Sequence, residues 1–407
     1  MEWLRKHEKH LLVLSLAGKL VFSLHQGETE SLAICSMFAA LAARSSSPLR
    51  QVSGHGFKLV FVMKGDLLLV GKCPESYSSE LLKLELDLLY QHILFHVTLP
   101  ALEHLFAGNA SYDLSGLLGG TDGNNRELIA HSETELAVML QALPVLALKA
   151  ARQDLIHQLE LARQDCAVFA YLISHQDQTP KFVCGLGPKQ TKRRYSGVNN
   201  VTDFLLLASV AVKSAVMETW MPFCLPGFNN QGHLHCYSSA LIEHKLFLVL
   251  CTSEPSLERF HLCAQRKVAF CKAMSLVRGE WDKILDNDLD EVGLESSPAL
   301  HFAIRLGRQY VESKSKGPGK GYLVKRYEAL GIVAAVGSRE GGEEERRLVW
   351  DVQMRDVAAY SEGKEMEVFA IFPPLTTPSA GQRALADIHQ HATQNKSRFF
   401  SLPEETV

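Results

Sequence analysis

The sequence predicts an α/β (α+β) protein built from antiparallel sheets flanked by helices, and three observations predict it. Residues Leu11 to Ala43 read as strand, tight turn, strand and amphipathic helix, with further strands and helices behind them. The order ββα-ββ-α returns from Cys166 to Met274 with almost no residue identity. A third, weaker unit of strands and a helix follows Ser296. At 407 residues the chain is too long for one compact core. The expected domains are 1–125, 164–285 and 297–407, with a helical connector at 126–163 and an acidic linker at 286–296.

The elements of the first unit follow from local chemistry. Leu11 to Leu16 is an apolar run of strand formers, Ala17-Gly18 supplies a turn, and Lys19 to Ser23 returns as the second strand. Thr29 is placed to cap a helix, and Glu28 and Glu30 suit the positive end of its dipole. Ile34, Met37, Phe38 and Leu41 recur at i, i+3, i+4 and i+7, an apolar stripe to pack on a sheet face. The strands are apolar at nearly every residue, which predicts that the opposite face is covered too. Phe57 to Met63 and Leu67 to Val70 form a hairpin turning at Lys64-Gly65-Asp66, with a further strand at Gln51-Val52. Ser78 to Val97 is a long helix, Pro100 starts another, and Gly116 to Asn125 is glycine-rich punctuation. Glu127 to Arg163 reads as mostly helical, interrupted at Pro144.

In the second unit Ala167 to Ile173 and Phe182 to Leu186 are strands about a turn at His175 to Pro180. Phe204, Leu207, Ala208, Ala211 and Ala215 keep helical spacing behind Thr202. His233 to Ser239 and Leu246 to Cys251 form a hairpin, and Ser256 to Met274 a helix that continues toward Leu285. In the third unit His301 to Arg308 is a strand or short helix. Ala329 to Val336, Leu348 to Val352 and Glu365 to Phe372 are strands, and Ser379 to Thr393 is a helix.

Charge is nearly balanced, 42 basic against 45 acidic residues for a net of −3, which argues against broad nucleic-acid binding. The nine cysteines are odd in number, form no CxxC and sit mostly in apolar segments, the pattern of reduced thiols in a cytosolic protein. No apolar run reaches the ~18–20 residues of a spanning helix, so membrane contact is expected to be peripheral.

Candidate chemistry is sparse. His233-Leu234-His235 places two imidazoles on one strand face, but nothing fixes further zinc ligands beside them. Asp286, Asp288 and Asp290 imitate the start of a calcium loop, yet Glu291 and Ser297 occupy the positions that need Gly and Glu. Gly317-Pro318-Gly319-Lys320-Gly321 fails the phosphate-loop pattern, because Lys314 and Gly321 stand where Gly and Ser or Thr are required. The expected form is a mobile basic loop carrying Lys314, Lys316 and Lys320. Lys189, Lys192, Arg193 and Arg194, beside Tyr195, form a second basic cluster, read as an exposed turn or an anionic-lipid contact. A Cys/His enzyme acting through a thiol such as Cys236 stays open, although nothing places a base beside a thiol.

Several stretches in order resemble the SAND family, the Mon subunits of Mon–Ccz vacuolar-fusion complexes. They are Leu14 to Ser23, similar to the family's LSxxGKPIYS; Gly56 to Val62; Leu86 to Gln91; Tyr112 to Asp122; and Trp220 to Asn229 with His235, similar to WxPxCLPxFN…H. The resemblance implies three longin-like domains, each a five-stranded antiparallel sheet with flanking helices. It implies a Ccz-type partner subunit and a guanine-nucleotide exchange activity, shared with that partner, toward a Rab-seven-class GTPase. That activity would drive Rab-five to Rab-seven conversion on endosomes and fusion with the vacuole or lysosome, with recruitment from the cytoplasm to an anionic phosphoinositide surface. The implied exchange surface lies in Leu11–Phe22, Glu28–Arg44 and Phe57–Val70, with Lys19, Phe22, Glu28, Glu30, Ser31, Cys35 and Ala39 as interface residues. No cofactor, metal or catalytic side chain is implied. Leu20 and Leu24 depart from the family's usual Pro and Arg, and its long polar N-terminal extension is not in this sequence. A longin adaptor or tether that binds a GTPase without exchange is the alternative.

Overall fold

A strand buried on both faces organises each of the three sheets. The computed structural model describes residues 7–25, 30–44, 48–148, 152–176, 179–188, 200–213, 217–242, 244–275, 297–316, 319–329, 346–351, 356–362 and 366–400. Contacts divide the chain into two compact units, Met1–Ser132 with Phe223–His233, and Glu133–Pro222 with Leu234–Val407.

The first sheet comprises β1 (His10–Ser15), β2 (Leu20–Ser23), β3 (Gln51–Gly54), β4 (Phe57–Lys64) and β5 (Leu67–Pro74), in the order β2-β1-β5-β4-β3. Every pairing is antiparallel. Helix α1 (Glu30–Arg44) connects β2 to β3, and α2 (Ser79–Val97) and α3 (Leu99–Gly108) follow β5. Side chains alternate across the sheet. Leu11, Val13, Leu67 and Leu69 enter a core with Leu82, Leu86, Leu89 and Ile93 of α2. Leu12, Leu14, Leu68 and Val70 enter a second core with Cys35, Phe38 and Ala39 of α1. Both faces are therefore dry, as the unbroken apolar runs required. Gly18 sits at φ +84° in the β1–β2 turn, and a Cβ there would lie 3.2 Å from the Ser36 Cα, so the turn closes directly on α1. The Ser78 hydroxyl caps α2 by accepting from the Leu81 N–H at 3.3 Å.

The expected stripe on α1 is out of phase. Its buried side is Cys35, Phe38 and Ala39, with Ile34 and Ala42 packed beside them, while Met37 and Leu41 face outward. At 3.6 residues per turn Met37 lies roughly 200° around the helix from Cys35. The helix is apolar on two sides, so spacing alone selected a set that straddles both.

Between the sheets' sequences run α4 (Asp122–Thr134), α5 (Leu136–Leu140), the two-residue β6 (Leu143–Pro144) and α6 (Gln153–Arg163). The second sheet holds β7 (Phe169–Gln176), β8 (Thr179–Leu186), β9 (Thr219–Leu225), β10 (Asn229–Ile242) and β11 (Leu246–Thr252), with α7 (Val201–Lys213) before β9 and α8 (Leu257–Ser275) after β11. Its order is β8-β7-β11-β10-β9. The third holds β12 (His301–Leu306), β13 (Gln309–Glu312), β14 (Arg346–Asp351), β15 (Asp356–Glu362) and β16 (Met366–Phe372), with α9 (Lys320–Ala329), α10 (Pro378–Gln394) and α11 (Lys396–Phe399). Its order is β14-β15-β16-β12-β13-β6. Numbered by position within each unit, all three sheets read second-first-fifth-fourth-third, the repeat anticipated from element order.

Five elements depart from the sequence reading, β6 among them. Strand β9 carries Pro222 and is a sheet edge, where a missing N–H costs no ladder bond. Strand β13 is four residues long, and β15 carries Asp356, Ser361 and Glu362 at its ends. Lys320 opens helix α9 rather than lying in a mobile loop, and its ammonium reaches the Glu135 carboxylate at 2.7 Å. Ala329 ends that helix instead of starting a strand, and the rest of the Ala329–Val336 stretch lies outside the described residues. The continuation toward Leu285 and the Asp286–Glu291 run lie outside them as well.

Pro144, expected to interrupt a helix, lies in β6. Leu143 N–H donates to the Arg308 carbonyl and Val145 N–H to that of Tyr310, both at 2.8 Å, so β6 runs parallel to β13. Leu146 N–H then donates to the Phe182 carbonyl on β8 at 2.9 Å, and Leu148 N–H to that of Arg398 at 3.0 Å. One short segment thus satisfies the open edges of two sheets. Arg152, 4% exposed, locks the same seam. Its guanidinium donates to the carbonyls of Val183 (3.0 Å), Arg398 (2.9 Å), Phe400 (3.0 Å), Phe399 (3.2 Å), Ser397 (3.3 Å) and Leu146.

Arg152→Leu leaves buried carbonyls unmatched and is expected to lower the unfolding free energy by roughly 3–5 kcal/mol. Arg152→Lys, a point donor in place of a fork, should recover little of it. Urea denaturation checks both, and a loss under about 1 kcal/mol would remove the clasp from the account.

Candidate functional site

The first unit carries an apolar stripe on its surface beside the one its own core uses. On α1, Ala33, Ser36, Met37, Ala40, Leu41 and Arg44 are exposed and fall at i, i+3, i+4, i+7, i+8 and i+11, a second stripe opposite the buried one. Met37 is 48% and Leu41 47% exposed. Leu16, in the turn that closes on α1, is 42% exposed. The signal for these residues was in the sequence, as two interleaved helical periods on one helix, but it does not say which period faces the sheet.

Buried polar contacts tie together the frame beneath this surface. The Glu85 carboxylate on α2 is fully buried and meets the Lys9 ammonium at 2.7 Å. It accepts from the Tyr77 hydroxyl at 2.8 Å and the Ser132 hydroxyl at 3.2 Å. This holds the start of β1 to α2 and α4. Arg126 of α4 lies 5.8 Å from the Phe22 ring centroid and donates to the Leu24 carbonyl at 2.9 Å and the Ser23 carbonyl at 3.2 Å.

The sequence-derived interface residues divide by depth. Lys19 is exposed in the β1–β2 turn, its ammonium 2.9 Å from the Asp113 carboxylate. A hydrogen bond from the Ser115 hydroxyl, and then Lys19 itself, hold the Asp113 carboxyl down at about 2. Phe22, Cys35 and Ala39 are buried in the two cores of this domain, where they shape the seat of α1 and β2. Burial pushes the Cys35 thiol up to about 11. Glu30 and Ser31 belong to the first turn of α1. Glu28 and the basic cluster Lys189, Lys192, Arg193 and Arg194 lie outside the described residues. The structure therefore brings Lys19 to the same end of the domain as α1, and sets Phe22, Cys35 and Ala39 below the surface.

Groups suited to other chemistry are dispersed. The His233 imidazole is exposed and lies 3.3 Å from the His96 carbonyl. His235 lies against the Trp220 ring, centroids 5.6 Å apart. Among the described residues no group of three or more His, Cys, Asp or Glu is arranged to hold a metal. None of the nine cysteines forms a disulfide, and all but the half-buried Cys271 are buried. In the second unit Glu135 is buried and accepts from the Thr179 hydroxyl at 3.0 Å and from Lys320. Burial, reinforced by Glu312, raises its carboxyl. On β12 the fully buried His301 Nδ1 lies 2.8 Å from the Tyr327 hydroxyl. Burial, and then Lys181 and Lys320, pull that imidazole down to about 3.

Comparison with known proteins gives two family matches. Residues 9–128 match the first longin domain of FUZ, MON1 and HPS1, and residues 156–269 match the second longin domain of the same proteins. Together the matches cover more than half of the chain. Among individual relatives, vacuolar fusion protein MON1 homolog A of Gallus gallus is 28% identical over 278 residues, covering 66% of this chain and 48% of the relative. Protein SAND of Takifugu rubripes is 26% identical over 64% of this chain and 50% of its own. MON1 homolog A of Bos taurus is 30% identical over 58% and 42%. The chain spans about half the length of the curated relatives it matches. A bacteriophytochrome structure from R. palustris aligns at 9% identity over 90% of this chain and 83% of that one; its TM-score of 0.22 carries no argument.

Two outcomes follow from depth and charge. Phe38→Ala should cost roughly 3–5 kcal/mol of stability, whereas Met37→Ser with Leu41→Ser should stay within about 0.5 kcal/mol per site. Equal losses in chemical denaturation would mean that the outer stripe is core. The second outcome concerns His301, which the folded chain keeps neutral while the unfolded chain protonates it below its ordinary 6.5. Its contribution is complete above pH 6.5 and is lost as pH falls toward 3, with a slope up to about 1.4 kcal/mol per pH unit. His301→Gln should flatten that limb in thermal melts across pH, and an unchanged limb would assign it to other groups.

Proposed function

The chain belongs to the SAND/MON1 family of longin-domain proteins, and from that membership we propose that it is one subunit of a heterodimeric guanine-nucleotide exchange factor. Its partner is a second longin protein of the Ccz type. Its substrate is a Rab-seven-class GTPase on late endosomes and the vacuole or lysosome. The reading includes succession to a Rab-five-class GTPase and docking from the cytoplasm on an anionic phosphoinositide surface. Among the described residues no helix is long and apolar enough to cross a membrane.

The observation that carries the proposal is the outward stripe Met37, Ala40 and Leu41 with Leu16, on the domain matched as the family's first longin domain. Exposed apolar side chains grouped on one helix face and rimmed by polar residues mark an interaction face. Exchange needs no nucleophile. It requires a surface that binds the nucleotide-free GTPase more tightly than the loaded one, since only differential affinity shifts the equilibrium. Lys19 beside that strip contributes a charge at its rim. A longin adaptor or tether that recognises a loaded GTPase would use the same surface without accelerating release.

The test is release of labelled GDP from a Rab-seven-class GTPase with this chain alone, a Ccz-type partner alone, and both on anionic liposomes. Acceleration is expected only in the mixture. Met37→Asp with Leu41→Asp should reduce it about 10-fold or more, on the scale of losing an interface anchor. Co-purification of the mixture with release at the intrinsic rate would replace exchange with the adaptor reading.

A further inference from the structure

The second longin domain holds a pair of thiols that neither the fold nor the proposed exchange activity uses. Cys166 follows the end of α6, and Cys263 lies in the first half of α8; both are buried in one core cluster. Cys263 lies on α8 four residues after Arg259 and three before Arg266, on the helix face whose two arginines both reach Asp165, the neighbour of Cys166. Cys166 donates to the Ala162 carbonyl at 3.1 Å.

The pair lies just under an exposed corner. Asp165 precedes Cys166 in a left-handed conformation, φ +62°, with its side chain 73% exposed. The corner is covered by two arginines of α8. Arg259 donates to the Asp165 carbonyl, and the Arg266 guanidinium lies 3.6 Å from the Asp165 carboxylate. The hydrogen bond from Cys263, and then the Arg266 and Arg259 charges, hold the Cys166 thiol below its ordinary range against the opposing effect of burial. Neighbouring cations favour the thiolate, the nucleophilic form, once the buried sulfur is reached from solvent. Cys236 and Cys251, which face each other across β10 and β11, are buried to the same degree, and there burial raises Cys251.

We propose that Cys166 and Cys263 form a hydroperoxide-responsive dithiol, whose oxidation to a disulfide ties α8 to the end of α6. The Cys166 thiolate attacks a peroxide oxygen, breaking the O–O bond and giving a sulfenic acid and hydroxide. The Cys263 thiol attacks the sulfenic sulfur and expels that oxygen as water. The hydroxide takes up the proton that Cys166 had released. Two thiols and one hydrogen peroxide thus give one disulfide and two waters. Opening of the Asp165 corner admits the peroxide, so the two arginines both activate and gate the pair.

The test treats the full chain with one equivalent of hydrogen peroxide, alkylates the remaining thiols after denaturation, and maps the peptides by mass spectrometry. The expected product is a Cys166–Cys263 crosslink reversed by dithiothreitol, with the other cysteines alkylated. In Cys263→Ser the reaction should stop at a sulfenic acid on Cys166, trapped by dimedone. Oxidation appearing first at the half-buried Cys271, or spread over the buried thiols as the chain unfolds, with Cys166 left reduced, would overturn the proposal. The wild-type map decides the question even if the variant fails to fold.

Discussion

A strand with no wet face must be covered from both sides, and that constraint sets the plan of each sheet. β5 is buried along all but its last residue, and β11 and β16 are buried at every residue. Each stands in the middle of its five-membered core arrangement. Fully burying one Leu, Val or Phe contributes roughly 1.5–3 kcal/mol, so a seven-residue strand of such side chains dominates its domain. The helix inserted between the second and third strands covers one face, and the helix after the fifth covers the other. The three units keep this arrangement while sharing almost no residues, because what is retained is the placement of cover rather than any particular contact.

Polar groups appear where that plan leaves backbone or charge to satisfy. In the first unit Glu85 is tolerated at full burial because an ammonium and two hydroxyls surround it. In the second, Arg152 sits in a shell of carbonyls supplied by β8, the seam and the C-terminal helical turn. These groups fix how pieces are joined. The candidate interaction face on α1, by contrast, is apolar and rimmed by charge, the composition of a surface made to be covered.

Much of this was legible in the residues. Gly18 marked the first hairpin because only a turn closed against α1 demands positive φ there. Strands apolar at each position announced two covered faces. The errors have physical causes. Strand β9 was not read from the residues, and it carries Pro222, which an edge strand tolerates. The GPGKG run suggested a loop, yet the ion pair of Lys320 with Glu135 is distant in sequence and fixes the start of α9. On α1 two apolar periods compete, and only the tertiary partner, the sheet face of Leu12 and Leu14, decides which is inward. Family resemblance pointed to Phe22, Cys35 and Ala39, which the fold buries in the two cores of the first unit.

The seam through Pro144 has a consequence for how sequences of this architecture can drift. Leu143 and Val145 spend their N–H groups on β13, Leu146 spends its own on β8, and Pro144 has none to spend. Removing or adding a single residue here would invert the alternation, turning donors away from both sheets at once. Substitutions along 143–148 are therefore open to apolar side chains of similar size, whereas changes of length are barred. An alignment of related chains should run through this stretch without a gap.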